Sequence, residues 1–360
     1  MRAGPASAGP RERGEPYRLA NIDPWVFHIE GARGMGQDPS PGKGGGPRIS
    51  VVIAAHTRVE FLMRAVQSAA SQGPDEIIVV KYTRDPELDA ELAARGASIR
   101  VTTEPYQGGK FAEGIEHATG DVIVFLDDDD IFLPGKISRV REIFGDPRVV
   151  LCANRYRPFT DSPPDHGDAG PVRLYFTGEG NQFRNGLKPV LNSCISVRRD
   201  ILVPWLSDLH QLTIADHTVF MMAVAARKWI AMDGSVLTGY HVSQVGGALR
   251  PAQSIWFRPG ASAERDIAWM LDLLDSETGG VRETLTPMVA SAVIHLVFLT
   301  GETQFKEYRR TMRAILDGVG VRRPLTIPST LMFGYPISPR LAIRLNRIWK
   351  SLVGYHHHQG

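Results

Sequence analysis

The chain is poor in cysteine: its 360 residues hold two, Cys152 and Cys194. Each stands in an apolar run. Both read as buried thiols, so a disulfide framework and a cysteine zinc site are excluded. Net charge is also scarce. Lys and Arg number 41 against 39 Asp and Glu, and the resulting +2 gives no nucleic-acid signal. Long apolar runs are missing as well. The longest towards the C-terminus, Met288 to Thr300, contains His295 and is too short to span a bilayer. The first residues are polar and Pro/Gly-rich, unlike a secretory signal. No repeat recurs along the chain. A cytoplasmic protein is expected, with membrane contact from one side left open. Hydrophobic content of 43% and charged content of 22% are those of a globular chain, long enough for more than one domain.

What is present centres on Asp121 to Pro134. Val122 to Leu126 are apolar without interruption, which predicts a strand buried on both faces, as in a parallel sheet. The strand stops on Asp127, Asp128, Asp129 and Asp130. Four adjacent carboxylates repel one another and cannot enter a core unpaired. The alternative for such a run is a solvated turn. The buried strand before it favours the crevice at the C-terminal ends of parallel strands, where open α/β sheets bind ligands. A hard cation, Mg²⁺ or Mn²⁺, would relieve the repulsion and bring a phosphate-bearing substrate. Asp127 and Asp129 are the pair placed nearest the metal, and Pro134 suits the first turn of a following helix.

Around this stretch the chain divides into a flexible extension and linker (1–47), an α/β domain (48–250) and a helical C-terminal region (251–360). Strands are expected at Ile49–Ala55, Glu76–Val80, Ser98–Thr102 and Val149–Ala153. Helices are expected at Val59–Ser71, Asp85–Ala94, Gly108–Ala118 and Leu133–Phe144. This β-α-β-α order predicts a parallel sheet with helices on both faces. From Asn154 the order breaks. Leu191–Val197, Trp229–Met232 and Val236–Val242 read as strands, and Arg199–Leu206 and Ile214–Lys228 as helices. Beyond Pro251 helices are expected at Ala261–Leu274, Val281–Leu299, Phe305–Leu316 and Pro339–Val353.

Three stretches between Ile49 and Val242 carry a resemblance. Ile49-Ser-Val-Val-Ile-Ala-Ala-His-Thr-Arg58 is an opening strand and turn. Phe125-Leu-Asp-Asp-Asp-Asp, followed by Pro134, is the specific match. Asn192-Ser-Cys-Ile-Ser-Val-Arg-Arg199, then Ala215-Asp216, follow in the same order and spacing. Together they resemble the family 2 glycosyltransferases, over a bit more than half the chain. The resemblance implies the GT-A fold, a Rossmann-like mixed sheet, and metal-dependent transfer of a sugar from a nucleotide-sugar donor with inversion. It assigns the metal to Asp127 and Asp129, with His241 near a position where family members place a metal or acceptor histidine. Asp216 matches the general base. Ala55, Thr57, Arg58, Lys81, Lys110, Asp127 and Asp128 fall on the donor side. Glycan and polyprenyl-linked acceptors both fit, and no nucleic acid does.

Two departures stand out. The family's second strand usually ends in Asp-Asp-Gly-Ser, whose first Asp accepts from the nucleotide base; here Lys81-Tyr82-Thr83-Arg84 stand instead. An ammonium has donors only and cannot accept that N–H. Ala215 replaces the Glu of the family's Glu-Asp pair, leaving Asp216 as the one carboxylate there. A nucleotidyltransferase is the alternative enzyme, but Ala54 to Arg58 lacks the glycines of its activating loop. A non-catalytic nucleotide-sugar-binding protein is the alternative favoured by Lys81.

The remaining signals each have a plain reading beside a functional one. Lys110 and Arg58 are phosphate contacts or ordinary surface cations. His241 is a ligand or a satisfied structural histidine. His217 reads as a helix-surface residue, and His356 to His358 as a frayed end. After Asp317 the chain has no acidic residue. Arg340, Arg344, Arg347 and Lys350 would line a helix whose other face carries Leu341, Leu345, Ile348 and Leu352, with Trp349 at its edge. That pattern suits peripheral contact with anionic lipid, or a helix packed on its own domain with a basic outer face.

Overall fold

Side-chain alternation along the central strands gives the fold its two faces. In a computed structural model of the chain, the described residues are 33–34, 46–56, 59–179, 191–213, 215–242, 244–245, 248–249 and 261–300. The strands are β1 (Arg33–Gly34), β2 (Ile49–Ala54), β3 (Glu76–Lys81), β4 (Ala97–Val101), β5 (Val122–Asp127), β6 (Ile131–Phe132), β7 (Val149–Phe159), β8 (Val172–Phe176), β9 (Ile195–Arg198), β10 (Trp229–His241), β11 (Gln244–Val245) and β12 (Ala248–Leu249). The helices are α1 (Val59–Ala70), α2 (Pro86–Ala94), α3 (Gln107–His117), α4 (Lys136–Phe144), α5 (Arg199–Leu202), α6 (Leu206–Leu209), α7 (Asp216–Ala225), α8 (Ala261–Ser276) and α9 (Gly279–Thr300).

Ten strands form one sheet in the order β1-β8-β10-β7-β9-β5-β2-β3-β4, with β6 paired to β10. Strands β5, β2, β3 and β4 are parallel neighbours. The sheet is mixed, not parallel throughout. β9 inserts antiparallel between β5 and β7, with Val197 opposite both Ile123 and Leu151. β7 therefore runs with β5, and β10 runs with β7. The C-terminal ends of β2, β5, β7 and β10 thus share one rim.

Along β2, Val52 and Ala54 join one core while Ile49, Val51 and Ile53 join the other. The period of two of a strand requires this split. The second core takes Leu62 and Val66 of α1, Leu88 of α2 and Val140 of α4. The first takes Phe111 of α3, Phe220 of α7, Met270 of α8 and Leu285 of α9. α8 and α9 therefore pack into the same core as the sheet. In α7, Thr218 to Val224 are all buried. This helix is enclosed on every side, and its inward positions are not restricted to one stripe.

Several boundaries differ from the sequence reading. Pro134 does not open α4: Gly135 precedes that helix with φ +90, a conformation open to glycine. β7 continues to Phe159, because β10 supplies partners along its whole length. Trp229 to His241 is one strand with register shifts, where two were expected. β6, β8 and β1 carried no expectation; β1 lies in the predicted linker and pairs with β8. Arg199–Leu206 resolves into two single turns joined by a 3₁₀ segment. The helices expected at Phe305–Leu316 and Pro339–Val353 lie outside the described residues.

Candidate active site

The acidic run sits where β5 leaves the sheet. Asp128, Asp129 and Asp130 are buried and Asp127 is half-buried. The carboxylates of Asp127, Asp128 and Asp130 are each tied to a different element. The amide of His56, just past β2, donates to Asp128 Oδ2 at 2.7 Å. Gln107 Nε2, in the first turn of α3, donates to Asp127 Oδ1 at 2.7 Å. Asn192 Nδ2 approaches the same carboxylate at 3.4 Å. The His241 amide, at the end of β10, donates to Asp130 Oδ1 at 2.9 Å.

Ser193 joins the two ends of the run. Its Oγ–H donates to Asp130 Oδ2 at 2.6 Å, and its Oγ accepts from the Asp127 amide at 3.0 Å. Behind Ser193 a one-way chain of donors reaches a buried cation. Thr238 Oγ1–H donates to the Ser193 carbonyl at 2.9 Å, and Asn154 Nδ2–H donates to Thr238 Oγ1 at 3.0 Å. Lys136 Nζ donates to Asn154 Oδ1. Lys136, Asn154, Thr238 and Ser193 are all buried.

The charges in this loop are mutually strained. Burial, then the charges of Asp129, Asp128 and Asp216, push the Asp127 carboxyl up to about 8, against the Asn192 hydrogen bond. Burial and the charges of Asp129 and Asp127 also raise Asp130 well above the carboxylate range, against its bonds from Ser193 and His241. Beside them His241 Nδ1 is buried without a hydrogen-bond partner, 3.8 Å from Asp129 Oδ2. Its ring packs on Phe61 and Phe159, with centroids at 4.4 and 5.3 Å. An orphaned imidazole nitrogen next to crowded carboxylates fits a divalent cation. Among the described residues, no three His, Cys, Asp or Glu side chains form a ready-made cage. The set fits an ion that completes its shell with substrate oxygens and water, as Mg²⁺ commonly does.

The base candidate comes from α7. Asp216 is buried in its first turn, close enough for its charge to act on Asp127. His217 is half-buried, not a surface residue, because its Nδ1 lies 2.7 Å from Asp216 Oδ1. Burial lowers the His217 pKa, but the charge and hydrogen bond of Asp216 outweigh it and raise the net value. Asp266 of α8 accepts from the Thr213 amide at 3.0 and 3.2 Å and so fixes the segment leading into α7.

On the opposite side, Ala55 is buried and its amide donates to the Val80 carbonyl at 2.8 Å. Thr57 and Arg58 lie outside the described residues. Lys81 is buried and its ammonium is paired with Asp89 of α2. Lys110 Nζ stands 3.8 Å from the centre of the Tyr82 ring. Burial lowers the Lys110 pKa to about 7, against the attraction of Asp128. His56 meets the other side of this patch, edge-on to Tyr82 at 5.6 Å. Sequence reasoning singled out Asp127, Asp128, Asp129, Asp216, Lys110 and His241. It assigned no role to Gln107, Asn154 or Ser193, which join the loop only through the fold. It also passed over Arg64, whose guanidinium lies 5.1 Å from each of the Phe61 and Phe159 rings.

Residues 50–203 match the model of Glycosyl transferase family 2. An uncharacterised glycosyltransferase of Nostoc sp. is 33% identical over 111 residues, covering 29% of this chain and 34% of that protein. The uncharacterised glycosyltransferase YwdF of Bacillus subtilis is 31% identical over 98 residues, covering 26% of this chain and 37% of that one. The chain thus spans about a third of the length of these curated relatives. Among solved structures, S. aureus TarS in complex with UDP-GlcNAc superposes with a TM-score of 0.51 at 13% identity, over 82% of this chain and 89% of that one. At that identity the likeness shows the fold, which is GT-A.

Proposed function

We propose, from the match of residues 50–203 to the family 2 glycosyltransferase model, that the chain transfers a sugar from a nucleotide-sugar donor to an acceptor, with inversion. The observation that supports this reading is the nearness of Asp216 to the crowded carboxylates at the end of β5, where its charge acts on Asp127. As the glycosidic bond breaks, the leaving nucleoside diphosphate gains charge. Asp127 and Asp129, with His241 beside them, would hold a divalent cation, which would supply the neutralising charge there. Asp216 takes the proton of the acceptor hydroxyl on the opposite face of the sugar. The His217 hydrogen bond keeps that carboxylate in place. Gln107, Ser193 and the His56 amide hold the acidic loop in register.

Uridine diphosphate sugars head the list of donors to test, because TarS has been captured with UDP-GlcNAc. Lys81 argues for a different reading of the base, since its ammonium is engaged by Asp89. For the acceptor we favour a lipid-linked molecule at the cytosolic membrane face. Its support is the basic segment after Asp317, which lies outside the described residues. Among the described residues no helix is long and apolar enough to cross a membrane.

Asp216→Asn tests the base. If the acceptor is a hydroxyl, turnover should fall by roughly 10²–10⁴-fold while donor affinity stays intact. If the acceptor is an already ionised phosphate, the loss should be much smaller. Weaker donor binding with an unchanged chemical step would remove Asp216 from this role.

A further inference from the structure

α8 lies beyond the family-matched residues, yet it reaches the rim of the site. Asp266 on this helix is buried and grips the Thr213 amide. Its neighbour Arg265 lays its guanidinium over Tyr106, with Cζ 4.8 Å from the ring centroid. Tyr106 immediately precedes α3, whose first residue, Gln107, holds Asp127. Tyr106 also lies within electrostatic reach of Tyr82, the ring beneath Lys110. Two tyrosines and two cations therefore form one patch beside the acidic loop.

Arg265 Nε and Nη2 are buried and have no hydrogen-bond partner. A guanidinium does not deprotonate in proteins, so it cannot escape this cost by losing its charge. Donors of a charged group held out of water without an acceptor are destabilising. Stacking on Tyr106 and the Asp266 anchor fix the plane of the fork. Two buried, unsatisfied donors on a guanidinium stacked beside the acidic loop are suited to an anionic oxygen, and the planar fork matches phosphate.

We propose that Arg265 binds a phosphate group of the substrate, so that α8 contributes a binding residue to the transfer site. The proposal rests on the nucleotide-sugar reading above. The phosphate belongs either to the donor diphosphate or to a phosphorylated acceptor. The Tyr106-Gln107 link to Asp127 favours the donor.

The test titrates the full chain with UDP and GDP in Mn²⁺, and with uridine and guanosine, by calorimetry. Wild type, Arg265→Gln and Arg265→Lys are compared after their melting temperatures are matched. Loss of a charge-assisted phosphate contact should weaken the bound nucleoside diphosphate by about ten- to a hundredfold in Arg265→Gln. Arg265→Lys should weaken it less, and nucleoside affinity should not change. Should Arg265→Gln fail to fold, Arg265→Lys must still bind the diphosphate more weakly than wild type. Unchanged diphosphate affinity with a raised KM for the acceptor would assign the phosphate to the acceptor. Unchanged values for both overturn the proposal. Wild type that binds neither UDP nor GDP would instead sink the nucleotide-sugar reading, and this proposal with it.

Discussion

Asp127 illustrates how a residue's environment becomes a measurable property. Its carboxyl, held up to about 8 by burial and three neighbouring carboxylates, keeps a proton that the unfolded chain releases above the ordinary carboxylate range. Stability from this group is therefore full at low pH and is lost as pH rises through about 8. Lys110 works in the opposite sense only above about 7. Between about pH 5 and 7 the metal-free protein should therefore lose stability by at most ~1.4 kcal/mol per pH unit through Asp127. Urea titrations at several pH values should show that slope in wild type and a shallower one in Asp127→Asn. Saturating Mn²⁺ should flatten the wild-type slope, since the cation replaces the proton. Equal slopes for wild type and variant would mean that Asp127 is ionised in the metal-free protein. The four aspartates were legible in the sequence because a strand of five apolar residues ends on them. Ser193 was not, because 66 residues separate it from the Asp127 amide that it accepts from, and nothing local marks a serine as a bridge.

At the scale of elements, α4, β7, β10 and the 3₁₀ turn at Asn192–Cys194 are tied together by the buried chain from Lys136 to Asp130. The sequence marked each of these segments as regular structure, but not their order in the sheet. β9 has four residues, and its insertion between β5 and β7 depends on partners far along the chain. Lys136 was lost inside a helix that reads as amphipathic, where a lysine is normally solvated. Its burial makes a sharp comparison possible. Asn154→Ala leaves the ammonium buried without its acceptor and should cost roughly 1–3 kcal/mol or more. Lys136→Met removes the charge together with its need for a partner and should cost less. Chemical denaturation orders the two variants. The reverse order would mean that the ammonium reaches water in solution and that the relay does not support the acidic loop.

The whole molecule gathers its chemistry around one rim. Strands β2, β5, β7 and β10 end there, and α3, α7 and α8 bring Gln107, Asp216 and Arg265 to it. The helical character of the segment after Pro251 was legible through its apolar periodicity up to Thr300. Its sharing of a core with α7 was not, because Met270 and Leu285 reveal no partner until the sheet is assembled. Release of nucleoside diphosphate from a panel of nucleotide sugars, by the full chain with a membrane extract as acceptor source, tests the central claim most directly. The account predicts that wild type consumes a nucleotide sugar only when Mn²⁺ or Mg²⁺ is present. It predicts that Asp129→Asn, folded to the same melting temperature, loses about a hundredfold or more of that rate. Consumption by Asp129→Asn at the wild-type rate in saturating Mn²⁺, or no consumption of any nucleotide sugar by wild type, would contradict it.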